Sequence, residues 1–248
     1  LHGRPEAISA GVCTFKDLKG AIDTVIESIQ VGLPLSRIEL LDEVQIKAIN
    51  QYKKVSHEIG PTLFVEIQGM PLSVKEQSEI FRDIAEANNI LKFQWSDRSE
   101  EIEVLWSARH DAYYAALALA PGKKAFTTDI CVPISNLTDC IIETKKDIEQ
   151  SNIIAPIVGH VGDGNFHLIM LLDPENKKEV SEAKHLNDKL VNRALKMEGT
   201  STGEHGIGIG KKEFLKTEQG SSVEIMSQIK KAIDPKNIMN PGKIFDIN

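Results

Sequence analysis

A pair of histidines flanking a glycine-rich turn is where this sequence first suggests chemistry. In His160-Val-Gly-Asp-Gly-Asn-Phe-His167, Asp163-Gly164 stands between two apolar runs, a strong short signal for a two-residue hairpin loop. With Asp163 and Gly164 as the loop, Gly162 pairs with Asn165, Val161 with Phe166 and His160 with His167. The two imidazoles would then face each other, with Cβ atoms about 4.5–5.5 Å apart, in reach of one divalent ion at about 2.0–2.1 Å. Taken alone, the pair fits a coincidental cross-strand neighbourhood equally well. A second segment shifts that balance. Gly199-Thr-Ser-Thr-Gly203-Glu204-His205-Gly206-Ile-Gly208-Ile-Gly210 places a carboxylate and a further histidine among glycines, where the backbone can turn sharply and approach a ligand closely. Glu204 would complete a His-His-carboxylate set with open positions, which suits zinc or manganese as a Lewis acid. His205 would remain free for acid-base work.

The same glycines superficially resemble a dinucleotide-binding loop. The third glycine spacing is missing, no buried strand precedes the loop, and Lys211-Lys212 stands where a nucleotide-binding helix would pack on its sheet. The glycines are therefore read as making room for a flat ring or a metal.

The elements that must position these groups follow from apolar periodicity. Leu18, Ile22, Ile26 and Ile29 predict a helix over 15–31, followed by a strand over 36–41 and a helix from Glu43. Pro61 opens a strand over 62–67, and a helix over 73–88 leads to a short strand over 92–95. A helix over 100–120, carrying Trp106 and Arg109, is stopped by Pro121-Gly122. A strand over 125–132, a helix over 134–149 and two strands within 153–172 follow. A charged helix over 179–198, the glycine-rich loop over 199–210 and a helix over 222–233 complete the chain. The order predicts an α+β fold, a sheet covered on one face by helices, forming one domain over 1–248.

Composition narrows the class. The chain has 248 residues, 41% of them hydrophobic, and a formal charge of -7, which argues against a nucleic acid or acidic membrane partner, since either needs clustered cations. Cys13, Cys131 and Cys140 are an odd number without metal-like spacing, so neither a disulfide framework nor a cysteine zinc site is expected. No apolar run reaches the roughly 18 residues of a membrane span. The chain begins at Leu1 without a charged-then-apolar leader, and any targeting segment is expected outside it. Trp106 and Tyr114 read as core or pocket wall, and His2, His57, His110 and His185 receive no role.

The segments His160-Val-Gly-Asp-Gly-Asn-Phe-His167, Thr202-Gly-Glu-His-Gly206 and Asp234-Pro-Lys-Asn-Ile-Met-Asn-Pro-Gly-Lys243 resemble the C-terminal domain of FAD-linked oxidases. Arg37-Ile-Glu-Leu-Leu-Asp42, Trp106-Ser-Ala-Arg-His110 and Thr128-Asp-Ile-Cys-Val-Pro133 extend the match over nearly the whole chain. The resemblance is nearest to members that oxidise D-lactate in mitochondria and pass electrons to cytochrome c. It implies an antiparallel β-sheet covered by helices, serving as a metal- and substrate-binding cap, with FAD held by an N-terminal half that this chain lacks. Residue by residue, it implies His160, His167 and Glu204 as ligands of a divalent metal and His205 as the catalytic base. It implies Arg109 as the clamp on the carboxylate of a small D-2-hydroxy acid, and Asn240 and Lys243 near the flavin. Strand parity puts Ile169 on the side of His167. Relatives acting on 2-hydroxyglutarate carry polar residues at the Ile169 and Thr127 positions, so a short apolar tail is expected here. The alternative is a non-catalytic metal-binding subunit beside a separate flavin-binding chain.

Overall fold

Alternation along the central strands decides the architecture. In the computed structural model, which describes residues 3–247, the first half runs β1 (Ala7–Phe15), α1 (Leu18–Gln30), β2 (Leu35–Leu41), α2 (Glu43–Lys53), β3 (Thr62–Gly69), α3 (Pro71–Ala87) and β4 (Ile90–Ser96). Then come α4 (Ser99–His110), α5 (Ala112–Ala118), β5 (Lys124–Thr127), β6 (Ile130–Cys131), α6 (Leu137–Glu149), β7 (Ile157–Gly159) and β8 (Asn165–Leu172). The chain closes with α7 (Lys177–Lys196), α8 (Lys212–Gln219) and α9 (Ser222–Ile233). Leu1 and His2 lie outside the described residues.

The strands form one antiparallel sheet in the order β4-β1-β3-β2-β7-β8-β5, with β6 also on β8. Cys13, Phe15, Leu40, Val65, Phe166, Leu168 and Met170 pack with α1, α3, α6 and α7 on one face. Val12, Leu41, Phe64, Val158, Ile169 and Leu171 pack with α2, α4 and α5 on the other. Helices therefore cover both faces, not the one face expected, because both parities of the central strands carry apolar residues. Each such side chain contributes about 1.5–3 kcal/mol when fully buried.

Three expected elements are interrupted, each within two residues of a position singled out in the sequence. The helix expected over 100–120 breaks at Asp111, where Lys53 Nζ bonds the Asp111 carboxylate at 2.5 Å and the Ser107 carbonyl at 3.3 Å. The break leaves Arg109 in the last turn of α4. The strand expected over 125–132 breaks between β5 and β6: Thr128 Oγ1 accepts the Leu168 amide at 2.9 Å, and Asp129 is turned inward to 1% exposure. The two-residue hairpin is also replaced. Val158, not His160, stands opposite His167, and residues 161–163 form a 3-10 turn. That turn buries Val161 completely and brings Gly164, at φ 77°, so near the Val132 carbonyl that a Cβ would lie 2.1 Å from it.

Periodicity does not announce β1, whose Ala, Ser and Gly positions carry little apolar signal. Gly11 is required there because a Cβ would meet the Trp95 ring at 1.8 Å. Among the described residues no helix is long and apolar enough to cross a membrane, and Cys13, Cys131 and Cys140 are free.

Candidate metal and substrate site

His167 lies within the β8 ladder and is 5% exposed, while His160 ends β7 and stays accessible. Despite the altered register, the two rings approach edge to face with centroids 5.9 Å apart. The expected His160–His167 pairing does not form, yet the two rings still meet, because a 3-10 turn rather than a two-residue loop joins the strands beside them. Glu204 Oε1 lies 3.6 Å from His160 Nε2 and 3.2 Å from His167 Nε2. One ligand atom from each of His160, His167 and Glu204 falls within 4.8 Å of the others.

The far side of each imidazole is committed. His160 Nδ1 is 2.7 Å from Glu39 Oε1, and His167 Nδ1 is 2.9 Å from the Thr128 carbonyl. A proton shared on Nδ1 in each ring leaves Nε2 as the lone-pair nitrogen, and both Nε2 atoms face Glu204. The Glu39 hydrogen bond raises the His160 pKa against the opposing effect of burial. Burial lowers that of His167, with the Thr128 carbonyl acting in the other direction, so His167 favours the neutral ligating form. The donor set fits a divalent metal of zinc or manganese type.

His205 stacks on His167 with ring centroids 5.2 Å apart, and its Nε2 lies 3.5 Å from Glu204 Oε1. Its side chain is 49% exposed and that of Glu204 47%, so the donors stand on an open face. Arg109 reaches the same cluster through Glu39, to which Nε and Nη2 donate at 3.2 and 3.0 Å. A guanidinium carries five N–H groups, so donors remain for a second carboxylate. Thr127 and Ile169 are direct cross-strand partners. Ile169 shares the His167 face, as parity requires, and is 3% exposed in the apolar cluster under α5. Trp106 is core, resting on Phe64, whereas Tyr114 is 59% exposed and belongs to no core cluster. Asn240 and Lys243 are exposed, on a segment tied to the glycine-rich loop by the Ile244 amide to the Gly208 carbonyl at 2.7 Å.

Two acidic residues at the site carry no local spacing signal. Glu39 joins His160 to Arg109. Asp129 is buried, which opposes ionisation, yet hydrogen bonds from the His205 amide, Lys211, Thr202 and Asn165 hold its carboxyl well below the usual range. Both lie within segments that carry the resemblance, the one signal that could have found them.

Residues 4–244 match the family model described as FAD linked oxidases, C-terminal domain. The chain belongs to this family. The chain is 46% identical over 248 residues to the probable mitochondrial D-lactate dehydrogenase of Danio rerio, covering 100% of this chain and 50% of the relative. It is 41% identical over 246 residues to the mitochondrial D-lactate dehydrogenase [cytochrome] of Arabidopsis thaliana, covering 99% of this chain and 43% of the relative. The chain thus spans about half the length of these relatives. Its fold matches 4-ethylphenol oxidase from Gulosibacter chungangensis with a TM-score of 0.74 at 15% identity, over 100% of this chain and 55% of that one. The fold is thus shared at low sequence identity.

Proposed function

We propose that this chain is the metal- and substrate-binding half of an FAD-dependent D-2-hydroxy acid dehydrogenase that oxidises D-lactate to pyruvate in mitochondria, with cytochrome c as electron acceptor. The observation that carries the metal assignment is the commitment of both Nδ1 atoms, to Glu39 and to the Thr128 carbonyl, which leaves both Nε2 atoms facing Glu204. The names of the Danio rerio and Arabidopsis thaliana relatives support the substrate and the compartment, and the latter supports a cytochrome acceptor.

His160, His167 and Glu204 would hold the divalent ion, and a flavin-binding half would hold FAD against the open face near Asn240 and Lys243. When bound, the ion supplies Lewis acidity and FAD a two-electron acceptor. Oxidation of D-lactate to pyruvate removes two electrons and two protons. The chain's own share is the hydroxyl proton, taken at His205 Nε2. Arg109 orients the substrate carboxylate with the N–H groups that Glu39 leaves free, a planar two-point contact that a lysine does not offer. Ile169 and Thr127 offer no cation to a second carboxylate, which would lose its water without gaining a partner.

The test is a comparison of kcat/KM for D-lactate and D-2-hydroxyglutarate in the FAD-loaded protein with an artificial acceptor. D-lactate should be favoured by roughly 100-fold or more, since a carboxylate that loses its water without a partner costs at least a few kcal/mol. Equal values would refute the pocket assignment. A metal-binding subunit without chemistry of its own would instead show no turnover with either substrate when its flavin-binding partner is supplied.

A further inference from the structure

Asp129 shares with His167 and His205 a second triad whose ligand atoms lie within 4.8 Å of one another. Its oxygens are already taken. Asn165 Nδ2 donates to Oδ1 at 3.0 Å, while Thr202 Oγ1 at 2.8 Å, the His205 amide at 3.0 Å and Lys211 Nζ at 3.0 Å donate to Oδ2. The Glu204 amide is shared between the two oxygens at 3.2 and 3.3 Å. A carboxylate has about four lone-pair sites, so this one keeps none for an ion. Every donor except Asn165 comes from the glycine-rich loop or from Lys211, immediately beyond it.

We infer that Asp129 is a positioning residue, an anchor that fixes the backbone of Glu204 and His205 so that the Glu204 carboxylate meets His160 and His167. This rests on the metal assignment made above. The loop has no strand ladder at Glu204 to hold it, and the isolated bridge between Cys131 and Thr200 ends four residues earlier. Its register there is set by the Asp129 carboxylate, which accepts the successive amides of Glu204 and His205. Gly203 is part of the device. A Cβ at that position would lie 2.1 Å from Asn165 Nδ2 and 3.0 Å from Asp129 Oδ1, so any larger residue lifts the loop off the anchor.

The FAD-loaded protein separates anchoring from ordinary destabilisation. Zn2+ titration and amide hydrogen exchange at Glu204 and His205 would be measured in wild type, Asp129→Asn, Gly203→Ala and Asp42→Asn. Asp42 is a buried carboxylate whose oxygens accept from the Gln45 amide and from Lys145 at 3.0 Å rather than from the glycine-rich loop, and it serves as the control. Asp129→Asn and Gly203→Ala should each weaken Zn2+ binding about 10–100-fold, the range for groups that orient metal ligands, and should accelerate exchange at both amides. Asp42→Asn should change neither, whatever it does to Tm. If Asp129→Asn does not fold, Gly203→Ala, which leaves the carboxylate in place, decides the matter. Unchanged exchange, or faster exchange with wild-type Zn2+ affinity, would overturn the inference. So would an equal loss of affinity in Asp42→Asn. A wild type that binds no Zn2+ would sink the metal assignment alone, and the exchange data would still decide whether Asp129 anchors the loop.

Discussion

The hairpin of β7 and β8 and the glycine-rich loop meet at the same point but are held there by different means. His167 is carried by a strand paired on both sides, with its backbone in register against β7 and its flanks Phe166 and Leu168 in the core. Glu204 is carried by a segment without such a ladder, whose polar atoms are accepted by Asp129 from the sheet and by Glu218 from α8. The first position is fixed by hydrophobic burial and the second by charge-assisted hydrogen bonds. The difference teaches where the site should be brittle and where it should yield by degrees.

The largest effect should come from the rigid side. His167→Ala removes one of three protein ligands, and Zn2+ affinity should fall by more than about 100-fold, beyond the range for outer partners. Equilibrium dialysis of the folded variant checks this, and retained affinity would break the contrast at its firmer end. Next is His205→Ala. It should lower kcat by about 100-fold or more while the metal stays bound, since a base and a ligand are separable roles.

These expectations also mark what was legible in the sequence. Most strands and helices, and the shared face of His167 and Ile169, follow from period because burial imposes that period, whereas β1 and α8 were not read from it. The turn at 161–163 was not legible: Asp163-Gly164 favours a tight hairpin locally, and the burial of Val161 against distant strands overrides it. Nor was the break at Thr128 and Asp129, where polar side chains take over ladder bonds to serve the site. Glu39 is 121 residues from His160, and Asp129 is 75 from Glu204. Neighbours so far apart in the chain leave no spacing to read, and only the resemblance covered those segments.

A smaller effect sharpens the contrast from the hairpin side. Glu39→Gln keeps the shape beside His160 but loses the charge that orients its Nδ1, and about 10-fold weaker Zn2+ binding is expected. The variant should also loosen Arg109, raising KM for D-lactate more than it lowers kcat. A kcat loss with KM unchanged would show that Glu39 acts on chemistry instead.

The smallest effect is on the loop and is read by pH. Glu218 accepts from the Ser201 amide and hydroxyl and from the Thr200 hydroxyl at 2.8–2.9 Å. Burial opposes its ionisation, but these bonds hold its pKa below the ordinary 4.5. A folded pKa below the unfolded one means that the stabilisation is complete above 4.5 and is lost as pH falls through the folded value. Exchange at Ser201, corrected for its intrinsic pH dependence, should therefore quicken as the solution is acidified below that range. Glu218→Gln should remove the pH dependence, and the β8 amides should show none of it.

The most direct test of the central assignment compares two adjacent residues. Zinc content per chain, measured by elemental analysis of the FAD-loaded protein, should be about one in wild type and in His205→Ala, and close to none in Glu204→Ala. Loss of zinc in His205→Ala with retention in Glu204→Ala would contradict the account, since it would exchange the ligand and the base.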